Sequence, residues 1–154
     1  MYLTQQTDYA LRVLIYAAVN DDNLVNISTI ADTYNISKSH LMKVVTALVK
    51  GGFLHSIRGK GGGLRLARAA NSISVGAVVR HMEPLTVVEC FGEHNECILT
   101  PNCRLANVLH GGMKAFLTYL DGFTLADLVS NRQTHDLLYF QKIPITVEDD
   151  GQMM

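Results

Sequence analysis

The sequence predicts a mainly α fold with a small β-hairpin wing: a winged helix-turn-helix followed by a long dimerisation helix. Three observations lead there. Three short segments with apolar residues at helical spacing follow one another, the last two joined by a two-residue turn. A hairpin with glycine at 59, 61, 62 and 63 comes next. The chain also changes sign: residues 1–80 hold nine Lys/Arg against four acids (+5), and residues 81–154 hold four against ten (−6). A basic half joined to an acidic half suits a polyanion-binding module beside a module with another task.

The first helix is expected over residues 7–20. Leu11, Leu14, Ile15 and Ala18 make one apolar stripe, and Thr7 is the expected N-cap. After the turn at residues 20–23, Ile27, Ile30, Ala31 and Tyr34 repeat the spacing in a second helix, with Ser28 and Thr29 near its start. The turn Asn35-Ile36 leads into a third helix from Ser37 to about Lys50. Its buried stripe is Leu41, Val44, Val45 and Leu48, and Gly51-Gly52 stops it.

The other face of the third helix offers Lys38, Ser39, His40, Met42, Lys43 and Thr46. Short donors and flexible cations near a helix N-terminus are what a reading helix brings to the major groove, and its dipole favours phosphate. Ser37 fits a capping role as well as a DNA contact, and His40 fits a partly buried spacer as well. The candidate DNA-binding residues here are Ser28, Ser37, Lys38, Ser39, His40 and Lys43.

Strands are expected at 54–58 and 64–67. Arg58, Lys60, Gly61 and Arg65 are the wing's DNA candidates. Glycine lets a backbone approach phosphate closely, and the cations reach the minor groove or the backbone. A nucleotide-binding P-loop is excluded, because Lys60 is followed by Gly61 rather than Ser or Thr. Ser74 caps a further short helix to about Met82. A long helix is expected near residues 103–120, with Leu105, Leu109, Met113, Phe116 and Leu120 on one face and Gly111-Gly112 within it. Glycine inside a helix costs roughly 1 kcal/mol relative to Ala, so close helix–helix contact in a homodimer is the expected compensation. Thr124 caps a last short helix, TLADLV. Residues 141–154 have no period and are expected to be a disordered tail. The organisation read from this is a DNA-binding domain over 1–82, a cluster loop and dimerisation helix over 83–140, and the tail.

No run of 18 apolar residues exists and the N-terminus lacks a basic n-region, so a cytoplasmic protein with no membrane partner is expected. All three cysteines lie within 90-CFGEHNECILTPNC-103. In a reducing compartment such a cluster points to a metal or redox centre. The spacing Cys90-x6-Cys97-x5-Cys103 is neither a zinc ribbon nor a ferredoxin pattern. From spacing alone an iron–sulfur cluster, zinc and thiol redox switching all stay open. Phe91, Ile98 and Leu99 are available to shield a soft-metal site, and Glu93, His94, a water or a distant residue could complete it. Nothing forms a base–nucleophile pair, so no enzyme is expected.

LTQQTDYALRVLIYAA, ISKSHLMKVVTALVKGGFL, RGKGGGLRLA, VGAVVRHMEPL, LTPNCRL and FLTYLDGFTLADL together resemble one family of winged-helix iron–sulfur regulators, over roughly residues 1–140. The match is closest to its nitric-oxide-sensing members. The resemblance implies a homodimeric repressor of double-stranded DNA operators, joined through the long helix. It implies one iron–sulfur cluster per subunit, [2Fe-2S] or [4Fe-4S], held by Cys90, Cys97 and Cys103. Nitric oxide would nitrosylate the cluster and release the palindromic operator. It further implies that Asp8, in TDYALR, supplies the fourth ligand across the dimer. Members that respond to cluster or redox status use a histidine three residues after the last cysteine. Here that position is Ala106, a departure that favours the nitric-oxide branch.

Overall fold

The computed structural model describes residues 2–139. The helices among them are α1 (Gln5–Val19), α2 (Ile27–Tyr34), α3 (Lys38–Lys50), α4 (Val75–Met82), α5 (Arg104–Asp121), α6 (Leu125–Val129) and α7 (Arg132–Tyr139). Strands β1 (Leu54–Ile57) and β2 (Gly63–Leu66) form the wing, and 3-10 turns lie at Ala70–Ser72 and Glu89–Phe91. The mainly α fold with a two-stranded wing is thus observed. The tail expected over 141–154 lies outside the described residues.

Helix α1 runs through the centre. Ala10, Val13, Leu14 and Ala17 on it are buried against Ile30 of α2 and Leu41, Val44, Val45 and Leu48 of α3. The hairpin closes the core with Leu54, Leu64 and Leu66, and α6 and α7 return to it with Leu125 and Leu138. Antiparallel pairing sets Leu54 opposite Leu66 and Ile57 opposite Gly63. The backbone of Val25 and Leu64 exchanges two hydrogen bonds of 2.8 Å, tying the wing to the segment before α2.

Several expected boundaries move. Thr4, not Thr7, caps α1: its hydroxyl accepts from the Thr7 amide, and Thr7 lies inside the helix, fully buried. Both threonines satisfy the local cap rule, and a distant residue decides between them. Glu83, just past α4, accepts from the Thr4 backbone N–H at 3.1 Å, the Thr4 hydroxyl at 3.0 Å and the Thr7 hydroxyl. The long helix starts one residue late, with Cys103 as its N-cap. Helix α7 has no counterpart in the sequence reading, since its first five residues are polar and of its apolar ones only Leu138 is buried.

The two-residue turn between α2 and α3 depends on Asn35, which adopts φ 53°, a left-handed conformation that asparagine tolerates. Ile36 is then buried and Ser37 starts α3 with its hydroxyl accepting from the His40 amide.

Helices α4 and α5 pack through Val75, Val79 and Leu117. Arg80 and Asp121 clamp their ends with paired hydrogen bonds, one of them 2.8 Å. A Cβ at Gly76 would strike the Asp121 carboxylate, which is why glycine stands there. Hydrogen bonding from Arg80 holds the Asp121 carboxyl below the usual range. A folded value depressed in this way adds stability above the unfolded pKa, and that stability is lost as pH falls through the folded value. Asp121→Asn is therefore expected to melt with a shallower acid dependence than the wild type. The pair is half-exposed, so the difference should shrink in high salt. Identical slopes of melting temperature against pH would show that the pair contributes nothing.

Candidate functional site

Two sites emerge. On the first, amphipathic α3 buries one face and leaves Lys38, Ser39, His40, Met42, Lys43 and Thr46 exposed. His40 is not the buried spacer that the sequence allowed. Its ring lies on the surface, 6.5 Å from that of Tyr9. Ser37 is engaged as the N-cap, and Ser28 is half-buried at the start of α2, its amide donating to Asn26 Oδ1 at 2.7 Å. Lys38 and Lys43 thus project from a helix start whose dipole also favours anions.

On the wing, Arg58, Lys60, Gly61 and Arg65 are all exposed. Gly59 and Gly61 have φ of 93° and 78°, and a Cβ at Gly62 would strike the Ile57 carbonyl. The tip therefore needs glycine for its own path, and that path leaves its cations free of intramolecular ion pairs among the described residues.

The second site gathers the cysteines. Cys90, Cys97 and Cys103, all free thiols, line one pocket of about 110 Å³ with Val88, Glu89, Leu99, Leu105, Ala106 and Leu109. The Cys103 sulfur sits at the N-terminus of α5 and accepts from the Ala106 amide at 3.4 Å. Three soft donors in an apolar hollow suit iron or another thiophilic metal. Among the described residues, however, no group of three or more His, Cys, Asp or Glu side chains is drawn together tightly enough to hold a metal as it stands. The chemistry of the donor set, three thiols beside apolar side chains, suits a thiolate-bound metal group.

The shielding residues differ from expectation. Leu99 lines the pocket, but Ile98 is 95% exposed and Phe91 turns edge-on to His110, with ring centroids 5.9 Å apart. Glu93 and His94 lie on the surface. Glu89 is the acid that lines the pocket, and spacing gave no reason to prefer it to its neighbours.

Asp8 is not among the residues lining the pocket of its own chain. It lies in the first turn of α1 and pairs with Arg12 at 2.8 Å, half-exposed. The sequence reading did not draw this pairing, although its i, i+4 spacing is a signal that could have found it. Glu83 was missed altogether, because its partners are 76–79 positions away.

Helix α5 completes the picture. Of its 18 residues only Leu117 is buried. Leu105 and Val108 are 59% and 63% exposed, and a Cβ at Gly111 or Gly112 would meet nothing within 4 Å. The two glycines are therefore not required by packing among the described residues.

These features coincide with a known family. Residues 3–131 match the Rrf2 model, described as an iron-dependent transcriptional regulator. The chain belongs to the Rrf2 family. Among curated Rrf2-type relatives, it is 51% identical over 135 residues to the HTH-type transcriptional regulator NsrR of Bacillus licheniformis, covering 86% of this chain and 94% of that one. It is 50% identical to the protein of the same name in Geobacillus kaustophilus, over 86% and 92% of the two chains. Among solved structures it is similar to CymR, the global cysteine regulator of B. subtilis, at 27% identity and a TM-score of 0.67, over 84% and 97% of the chains. T. potens IscR aligns at 25% identity and a TM-score of 0.67, over 84% and 86%. The protein is a transcriptional regulator of the Rrf2 type and not an enzyme. Among its described residues no helix is long and apolar enough to cross a membrane.

Proposed function

We propose that this regulator is a homodimeric repressor that binds a palindromic operator while an iron–sulfur cluster occupies each cysteine pocket, and that nitric oxide releases it. The observation that carries the reading is the convergence of Cys90, Cys97 and Cys103 on one apolar hollow at the start of α5. A bound cluster would supply iron that reacts with nitric oxide. The chain's own part is to present three sulfur ligands, with the Ala106 amide donating to the Cys103 sulfur and so orienting it at the start of α5. Either [2Fe-2S] or [4Fe-4S] accepts three thiolates and one further ligand.

Asp8 of a second subunit is the proposed fourth ligand. To serve, it must leave Arg12, so ligation exchanges a surface ion pair for a restraint on α1. Helix α1 forms the floor beneath α3, so that restraint reaches the reading head. The exposed face of α5, with its two uncovered glycines, supports packing against a second copy. Two-fold symmetry would then set two α3 helices roughly 34 Å apart, one turn of DNA. Ser28, Ser37, Lys38, Ser39, His40 and Lys43 would meet one half-site, with Arg58, Lys60, Gly61 and Arg65 on the adjoining backbone or minor groove.

Ala106 favours the nitric-oxide branch, because it puts a methyl and a backbone amide where a ligating histidine would stand. An anaerobic visible spectrum, titrated with nitric oxide beside an operator-binding assay, tests the reading. Broad absorbance that bleaches as DNA is released is the expected result. A colourless or zinc-bound protein after anaerobic purification would overturn it. A coloured protein that responds to iron or redox status, and not to nitric oxide, would establish the alternative signal.

A further inference from the structure

Of the two exposed apolar side chains on α3, Met42 and Val49, only Met42 lies toward the N-terminal reading end, where neither phosphate nor a hydrogen bond explains it. Met42 is 55% exposed and lies outside the residues packed on the core. It follows Ser39 by three positions, precedes Thr46 by four and adjoins Lys43, so it sits in the middle of the reading face. Its polar neighbours are partly occupied. Thr46 donates its hydroxyl to the Met42 carbonyl at 2.8 Å, and the Ser39 hydroxyl lies 3.4 Å from the capping Ser37 hydroxyl. Lys38 and Lys43 are flexible point charges suited to phosphate, and phosphate contacts position a protein without reading sequence.

The major-groove edge of a base pair offers one apolar feature, the C5-methyl of thymine. An unbranched, polarizable thioether adapts readily to such a partner. We infer that Met42 is a specificity-determining residue that reads a thymine C5-methyl in each operator half-site. The inference rests on the proposed DNA-reading role of α3 and adds the class of base that it selects.

The test uses the cluster-loaded protein. Operators are selected from random duplexes, and each thymine of the selected half-site is replaced by uracil, which removes only the methyl. At fixed salt, one replacement is expected to weaken wild-type binding about four-fold, and the symmetric pair about fifteen-fold, as for one buried methyl per half-site. Met42→Ala should bind the thymine operator more weakly by a similar factor and be indifferent to uracil at that position. Its salt dependence should be unchanged, because no phosphate contact is lost. A flat uracil scan on a selected operator, or an undiminished uracil effect in Met42→Ala, would overturn the role of Met42 alone. Failure to select any operator would overturn the DNA-reading proposal and this inference with it.

Discussion

Cys103→Ser is expected to abolish the visible absorbance of anaerobically purified protein while leaving its helix content intact. Cys103 has two tasks. It lines the pocket, and it is the N-cap of α5, accepting from the Ala106 amide at 3.4 Å. Serine is among the preferred N-caps, so it keeps the second task and loses the first. If cluster and operator are coupled as proposed, operator affinity should fall roughly 5- to 150-fold, the usual range for communication between two sites. Cys103→Ala should lose the cap too and melt lower by about 1 kcal/mol of stability. Cys97→Ser should lose absorbance with no capping component, since its amide, not its sulfur, makes the recorded hydrogen bond to Asn95. Spectra, melting curves and operator titrations on the three variants separate ligation from folding. A Cys103→Ser protein that keeps both its colour and its affinity would remove the pocket from the mechanism.

What the sequence made legible follows from how far each interaction reaches along the chain. Leu41, Val44, Val45 and Leu48 announce α3 because one helix period places them on one face, and the structure buries all four. The wing was legible because its tip needs glycine locally, at Gly59 and Gly61 for left-handed φ and at Gly62 for a close approach. The grouping of the cysteines was visible, but not that Glu89 rather than Glu93 or His94 would line their pocket. That choice depends on the 3-10 turn at Glu89–Phe91, which carries no periodic pattern. Helix α7 was missed because a short polar helix with one buried leucine is held by its neighbours and not by its own stripe. The α1 cap was misplaced by three residues for a similar reason: Glu83 selects Thr4 from across the fold, and nothing within the first ten residues records it.

Glu83 also gives the second large effect. Glu83→Ala is expected to destabilise the protein by about 2–4 kcal/mol, lowering its melting temperature by roughly 5–15 °C. The carboxylate accepts from the Thr4 amide and both threonine hydroxyls. The consequences for the two threonines are unequal. Thr4 is half-exposed and water can replace its partner, whereas Thr7 is fully buried and would keep only its 3.1 Å contact with the Thr4 hydroxyl. A buried hydroxyl deprived of its acceptor carries most of the loss. Thr7→Val in the Glu83→Ala background removes that orphaned group, so the double variant should be more stable than the sum of the single changes requires. Strict additivity, or a Glu83→Ala protein within about 0.5 kcal/mol of wild type, would show that the cluster of hydrogen bonds is incidental. The position of this residue matters beyond stability. Glu83 stands at the entry to the cysteine loop and holds the turn of α1 that carries Asp8. Under the proposed mechanism it sets where Asp8 can reach, so Glu83→Ala should also loosen cluster retention under chelator challenge, an effect that a purely structural role would not extend to the folded protein well below its melting temperature.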